Sequence, residues 1–133
     1  MCLFIETIRV ENGTVYNLDY HTERLNRTRA AFWKGCAPLD LREFVSLDSL
    51  RSPQSLAGIH KCRVLYGREI EEITYAPYQM REVSSLRLIA ADAVDYTYKS
   101  TNRDELNALY ARRGVADDVL IVKDGFLTDT SIA

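Results

Sequence analysis

Two dipeptides constrain this chain more than any other feature: Asn12-Gly13 and Asp124-Gly125, each set between runs rich in β-branched and aromatic residues. Such pairs accept the positive φ angles of a two-residue turn, so each predicts an antiparallel hairpin. The first hairpin reads "LFIETIRVENGTVYNLDY" and the second "DDVLIVKDGFLTDTSI". A two-stranded ribbon is marginal in water on its own. The residues between the hairpins must therefore supply the helices and further strands that cover them.

That stretch reads in order. "DYHTERLNRTRAAFWKG" is a helix, with Asp19 as its N-cap and Gly35 after its last turn. Leu18, Leu25 and Phe32, seven apart, mark its buried stripe. Arg24 lies about 100° round from Leu25, on a side shared with Arg27 and Ala31. Arg27 and Arg29 read as a solvated basic face. "PLDLREFVSLDSL" is a shorter helix candidate, and "RSPQSLAG" is a loop by its Ser, Pro and Gly content. "IHKCRVLYG" and "EIEEITYAPY" are two strands around Gly67 and Arg68, and "SSLRLIAADAV" is a further strand. Together these make an N-terminal α+β domain of sheet and helices over residues 1–94. Next, "STNRDELNALYARRG" is a helix capped by Thr101 or Asn102 and ended by Gly114, with Leu106, Leu109 and Tyr110 on its apolar face. With the second hairpin it forms the start of a second, α/β domain over 95–133. The fold class is α+β.

Composition removes several functions. A net charge of −2 and a sequence pI near 5.7 give no general attraction to nucleic acid or anionic lipid. No apolar run approaches the ~20 residues that cross a bilayer. "MCLFIETIRV" carries Glu6 and Arg9 too early for a signal peptide. Cys2, Cys36 and Cys62 are an odd number without CxxC spacing, which fits reduced thiols in the cytoplasm. With only His21 and His60 beside them, no metal site is expected.

Three segments, "YHTERLNRT", "YKSTNRDEL" and "DGFLTDTSIA", resemble in this order matching segments of the class IV aminotransferases. These are the fold-type IV pyridoxal-phosphate enzymes, which include branched-chain and D-amino-acid aminotransferases and 4-amino-4-deoxychorismate lyase. "FIETIRVENGTVYNLDYH" is similar to the family's opening hairpin. The resemblance covers nearly the whole chain but only the front part of the family's length. The chain therefore looks truncated, and 95–133 corresponds to the linker and the start of the cofactor domain. A poorly packed tail from about 115, an exposed apolar face of Leu120, Val122, Phe126 and Leu127, and weak or absent cofactor binding by this chain are expected.

By resemblance, Lys99 matches the catalytic lysine that bonds the cofactor aldehyde. Arg24 matches the arginine that holds the cofactor phosphate. Asp129 falls where the family usually has a glutamate beside the pyridine nitrogen. Glu6 matches a family glutamate near the site and is, with Arg63, a candidate for substrate binding; Arg63 is the candidate for a substrate carboxylate. Some relatives place that arginine where Tyr66 stands. Arg63 and Tyr66 are separated by an odd number, so on a regular strand only one of them faces the site. The substrate is a small amine or amino acid, and the family is typically a homodimer.

The residue chemistry is consistent with these roles and also with plainer ones. A free lysine has a pKa near ~10.4, and burial with a cationic neighbour lowers it toward a nucleophilic amine. Lys99 follows Tyr96 and Tyr98 and precedes a helix start. It also reads as a strand-end lysine whose stem lies on apolar surface. Arg24 suits a dianionic phosphate through its planar fork, or belongs to the basic face. Asp129 suits a protonated ring nitrogen, though it is one methylene shorter than glutamate, or serves as a turn residue before Thr and Ser. Lyase and transaminase remain open, since one lysine serves both reactions. So does a non-catalytic α+β dimerisation module derived from the family.

Overall fold

The computed structural model describes residues 3–47, 57–95 and 97–131. The chain divides into two compact units. One holds residues 1–79 and 98–101, the other 80–97 and 102–133.

The first unit is built on a four-stranded antiparallel sheet. Its strands are β1 (Phe4–Glu11), β2 (Thr14–Val15), β3 (Ile59–Tyr66) and β4 (Ile70–Pro77), in the order β2-β1-β3-β4. Asn12 and Gly13 take φ of 49° and 80° between β1 and β2, the backbone that the dipeptide favours. Strand β1 alternates strictly. Phe4, Glu6, Ile8 and Val10 are buried, and so are their cross-strand partners Tyr66, Val64, Cys62 and His60 on β3. Ile5, Thr7 and Arg9 pair with Leu65, Arg63 and Lys61 and point the other way.

Helix α1 (Leu18–Phe32) packs on the buried face through Leu25, which is fully enclosed. Its N-cap is Asn17, in the left-handed region, and Asp19 falls in the first turn, where a negative charge is favoured. Phe32, expected in the buried stripe, is 51% exposed but still stacks on Phe4 at 4.9 Å. Arg29 is not part of a solvated face. It is 4% exposed and donates to the carbonyls of Arg68 and Ala37, fastening the end of α1 to the β3–β4 turn. Asn26 and the backbone of Leu39 exchange two hydrogen bonds, holding the following segment against the helix. Over its described residues, 38–47, the second helix candidate holds one 3₁₀ turn, Leu41–Glu43. Residues 38–40 and 44–47 are not helical, while residues 48–50, and most of the loop expected after them, fall outside the described residues.

The second unit is a three-stranded sheet, β5 (Leu86–Ala90), β6 (Asp118–Lys123) and β7 (Phe126–Thr130), in the order β5-β6-β7. Strand β5 runs parallel to β6, so residues 80–94 belong here and not to the first unit. A parallel pair is non-local and leaves no local turn signal to announce it. Helix α2 (Asp104–Ala111) covers this sheet through Leu106 and Leu109, against Ile89, Val94, Val119 and Ile121. The expected loose packing from residue 115 onward does not hold for β6, the central strand, where Val119 and Ile121 are fully buried. Phe126 and Leu127 are exposed, as expected, whereas Leu120 and Val122 are half-buried. No helix among the described residues is long and apolar enough to cross a membrane.

Candidate active site

Residues 98–101 return to the first unit and lie along the free edge of β1. Phe4 bridges Ser100 in antiparallel fashion. The amide of Ile5 donates to Lys99 O at 2.8 Å, and that of Thr101 to Leu3 O at 2.9 Å. This register puts Lys99 opposite Ile5. By strand alternation, Lys99 shares the sheet face of Ile5, Thr7 and Arg63. Tyr98 takes the other face and packs edge-on against Phe4 and Phe32. Lys99 is half-buried.

On the opposite face, α1 and β1 meet in a charged cluster inside the core. Glu6 is fully buried. Arg24 donates from Nε to Oε1 at 2.7 Å and from Nη2 to Oε2 at 2.6 Å, a two-point grip. His21 Nδ1 lies 2.6 Å from the same Oε2. His21 and Arg24 are three apart on the helix, so both reach the same point on the strand. Burial pushes the Glu6 carboxyl up, but the hydrogen bonds from His21 and Arg24 outweigh it and hold it below the usual carboxylate range. Glu6 in turn holds Arg24 more firmly protonated. Beside them, burial pushes the Tyr66 hydroxyl up.

Glu6 and Arg24, both expected at the site, are therefore brought together. Glu6 meets Arg24 and His21, not open space. Arg63 and Tyr66 lie on opposite faces: Arg63 on that of Lys99, Tyr66 on that of Glu6 and Arg24. His21 was not singled out from the sequence. Its spacing of three from Arg24 on a helix was the available signal.

Asp129 belongs to the second unit. The β6–β7 ladder carries a bulge: Val122 pairs with Leu127 but Ile121 with Asp129, so Thr128 is left over. Its hydroxyl donates to Ile121 O at 3.0 Å. Without the extra residue Asp129 would pair with Leu120. The bulge turns it instead onto the face of Ile121, where it is half-buried. Its Oδ1 accepts from the amide of Thr130 at 2.8 Å.

Residues 3–133 match the family profile of amino-transferase class IV. The chain belongs to the class IV aminotransferases. An uncharacterized protein of Haemophilus influenzae is 32% identical over 127 residues, or 96% of this chain and 66% of the relative. A structure described as a candidate 4-amino-4-deoxychorismate lyase from Haemophilus somnus 129PT superimposes with a TM-score of 0.86 at 25% identity, covering 99% of this chain and 69% of that one. A hypothetical aminotransferase from Mycobacterium tuberculosis, in its PLP-bound form, has the same fold, with a TM-score of 0.71 at 23% identity over 97% of this chain and 55% of its own. The chain thus spans between about half and just over two thirds of the length of these relatives.

Proposed function

We propose that this chain forms the lysine-bearing part of a pyridoxal-phosphate-dependent enzyme acting on an amine or amino acid, of the 4-amino-4-deoxychorismate lyase type. The observation that carries this reading is the pairing of 98–101 with β1, which lines Lys99 up on one sheet face with Arg63. A lysine whose carbonyl is bonded to β1, with Thr101 bonded to Leu3 just beyond, has a set backbone position, and a cation on the same face suits a substrate carboxylate. The likeness to the Haemophilus somnus structure supports the lyase type over amino-group transfer.

The residues fit the cofactor's parts by chemistry. Arg24 keeps both Nη1 hydrogens and one on Nη2 clear of Glu6, a donor set for phosphate oxygen; it stands on the sheet face opposite Lys99, so its assignment to the same cofactor rests on the resemblance. By the resemblance alone, Asp129 is the residue for the pyridine nitrogen, which a carboxylate keeps protonated. When bound, pyridoxal phosphate supplies an aldehyde and an electron-withdrawing ring that lowers the barrier to losing a proton from the carbon beside the substrate nitrogen. Lys99, as a neutral amine, takes that proton. Arg63 holds the substrate carboxylate and so fixes which carbon faces the amine. Glu6, expected to bind substrate, has both oxygens bonded to His21 and Arg24, which assigns it to holding Arg24 instead.

Changing Lys99 to Ala tests the reading. Because this chain is expected to bind weakly, spectra are taken at saturating pyridoxal phosphate; the expected result is a band with the unaltered chain that the variant lacks, with the thermal transition retained. An unchanged band in the variant overturns the assignment and leaves the non-catalytic module as the better description.

A further inference from the structure

The cluster of Glu6, His21 and Arg24 carries an inference that rests on the reading of Arg24 as a phosphate anchor. An arginine on a helix surface samples many rotamers, and either edge of its guanidinium can meet an anion. Here one edge is already taken. Nε and one Nη2 hydrogen are bound to the two oxygens of a carboxylate with no solvent exposure. His21 fixes the carboxylate from a third direction. The Arg24 side chain is 37% exposed, whereas the carboxylate that its Nε edge grips has no exposure.

We propose that Glu6, held by His21, is the positioning residue of Arg24, so that an incoming phosphate is met end-on by Nη1 and the remaining Nη2 hydrogen and never by the Nε edge. The arrangement trades charge for direction. The buried carboxylate cancels the charge of Arg24, which alone weakens attraction for an anion. It also removes the orientational entropy that binding would otherwise cost. The two effects have opposite signs, so they can be told apart by experiment.

The test compares pyridoxal phosphate with pyridoxal, which lacks only the phosphate. Their dissociation constants are measured on the 133-residue chain by quenching of Trp33, its single tryptophan. Arg24→Ala abolishes the preference for the phosphorylated form. Glu6→Gln lowers that preference about tenfold and leaves the pyridoxal constant unmoved. Glu6→Asp, which keeps the charge but falls one methylene short, also lowers it. The exposed Glu23→Gln leaves it unchanged. If Arg24→Ala has no effect, the anchor reading fails and this inference with it. If Arg24→Ala acts while Glu6→Gln keeps or strengthens the preference, only the positioning inference is overturned, because charge alone then governs. Equal loss for both ligands means a purely structural role and also overturns it. Should the Glu6 variants fail to fold, the unaltered chain gives the answer by NMR. The Arg24 Nε–H resonance stays in place as pyridoxal phosphate is added while the Nη resonances shift. A ligand-dependent move of Nε–H contradicts the proposal.

Discussion

Among the described residues, each unit buries a carboxylate against an arginine, and the two pairs are built for different ends. In the first unit both oxygens of Glu6 are taken by side chains, those of Arg24 and His21. In the second unit Asp118, 2% exposed, gives Oδ1 to the backbone amides of Val119 at 2.7 Å and Ser131 at 3.4 Å. Only its Oδ2 meets an arginine, Arg81, at 2.6 Å. Burial pushes Asp118 up, but the hydrogen bonds from Ser131 and Val119 and the charge of Arg81 hold it below the usual range. Asp118 thus ties the start of β6 to the end of β7, and Arg81 is an addition to that tie. Glu6 has no backbone to tie, and its effect is on Arg24. An acid held by backbone amides secures a fold, whereas an acid held by a partly exposed arginine sets where that arginine points.

The largest effect that would break this comparison is in the first unit. Arg24→Ala leaves a fully buried carboxylate with His21 alone and is expected to cost about 3 kcal/mol. Denaturant unfolding followed by Trp33 fluorescence measures it. A loss under about 0.5 kcal/mol would mean that Glu6 finds water or another partner readily.

Asp118→Asn comes next, at about 2 kcal/mol, since it weakens two backbone bonds and one ionic one. Hydrogen exchange at the Val119 and Ser131 amides should quicken. Arg81→Ala should cost only about 1 kcal/mol, because Asp118 keeps its amide donors and the Arg81 side chain is 41% exposed. If Arg81→Ala matched Arg24→Ala, the contrast between the two pairs would collapse.

The smallest expected effect is in pH dependence. Glu6 is held below its unfolded value, so its contribution is complete above the ordinary carboxylate pKa and disappears as pH falls through the lower folded value. Stability followed by Trp33 should therefore decline on the acid side, and Glu6→Gln should flatten that decline. An equally steep acid limb in Glu6→Gln would assign the proton uptake to other carboxylates.

Local chemistry was legible in the sequence, and long-range pairing was not. Asn12-Gly13 and Asp124-Gly125 announced their turns because few residues tolerate positive φ, and both take it here. The alternation of β1 and β3 was readable as strand, and the resemblance supplied Lys99, Arg24, Glu6, Arg63 and Asp129. The burial of Arg29 was hidden, since its acceptors, the carbonyls of Arg68 and Ala37, depend on how distant segments fold back. The bulge at Thr128 leaves no compositional trace, yet it decides which face Asp129 takes. The parallel pairing of β5 with β6 reassigned a whole strand to the second unit for the same reason. Whether Arg63 or Tyr66 shares a face with Lys99 needed the register of 98–101 on β1, which no single strand encodes.

Lys99, held along the edge of β1, is proposed as the amine that captures an aldehyde. Borohydride reduction of the chain in saturating pyridoxal phosphate, followed by peptide mapping, tests it most directly. One modified peptide is expected, carrying the cofactor mass on Lys99. Label spread over surface lysines such as Lys34, or concentrated on Lys61 or Lys123, would contradict it.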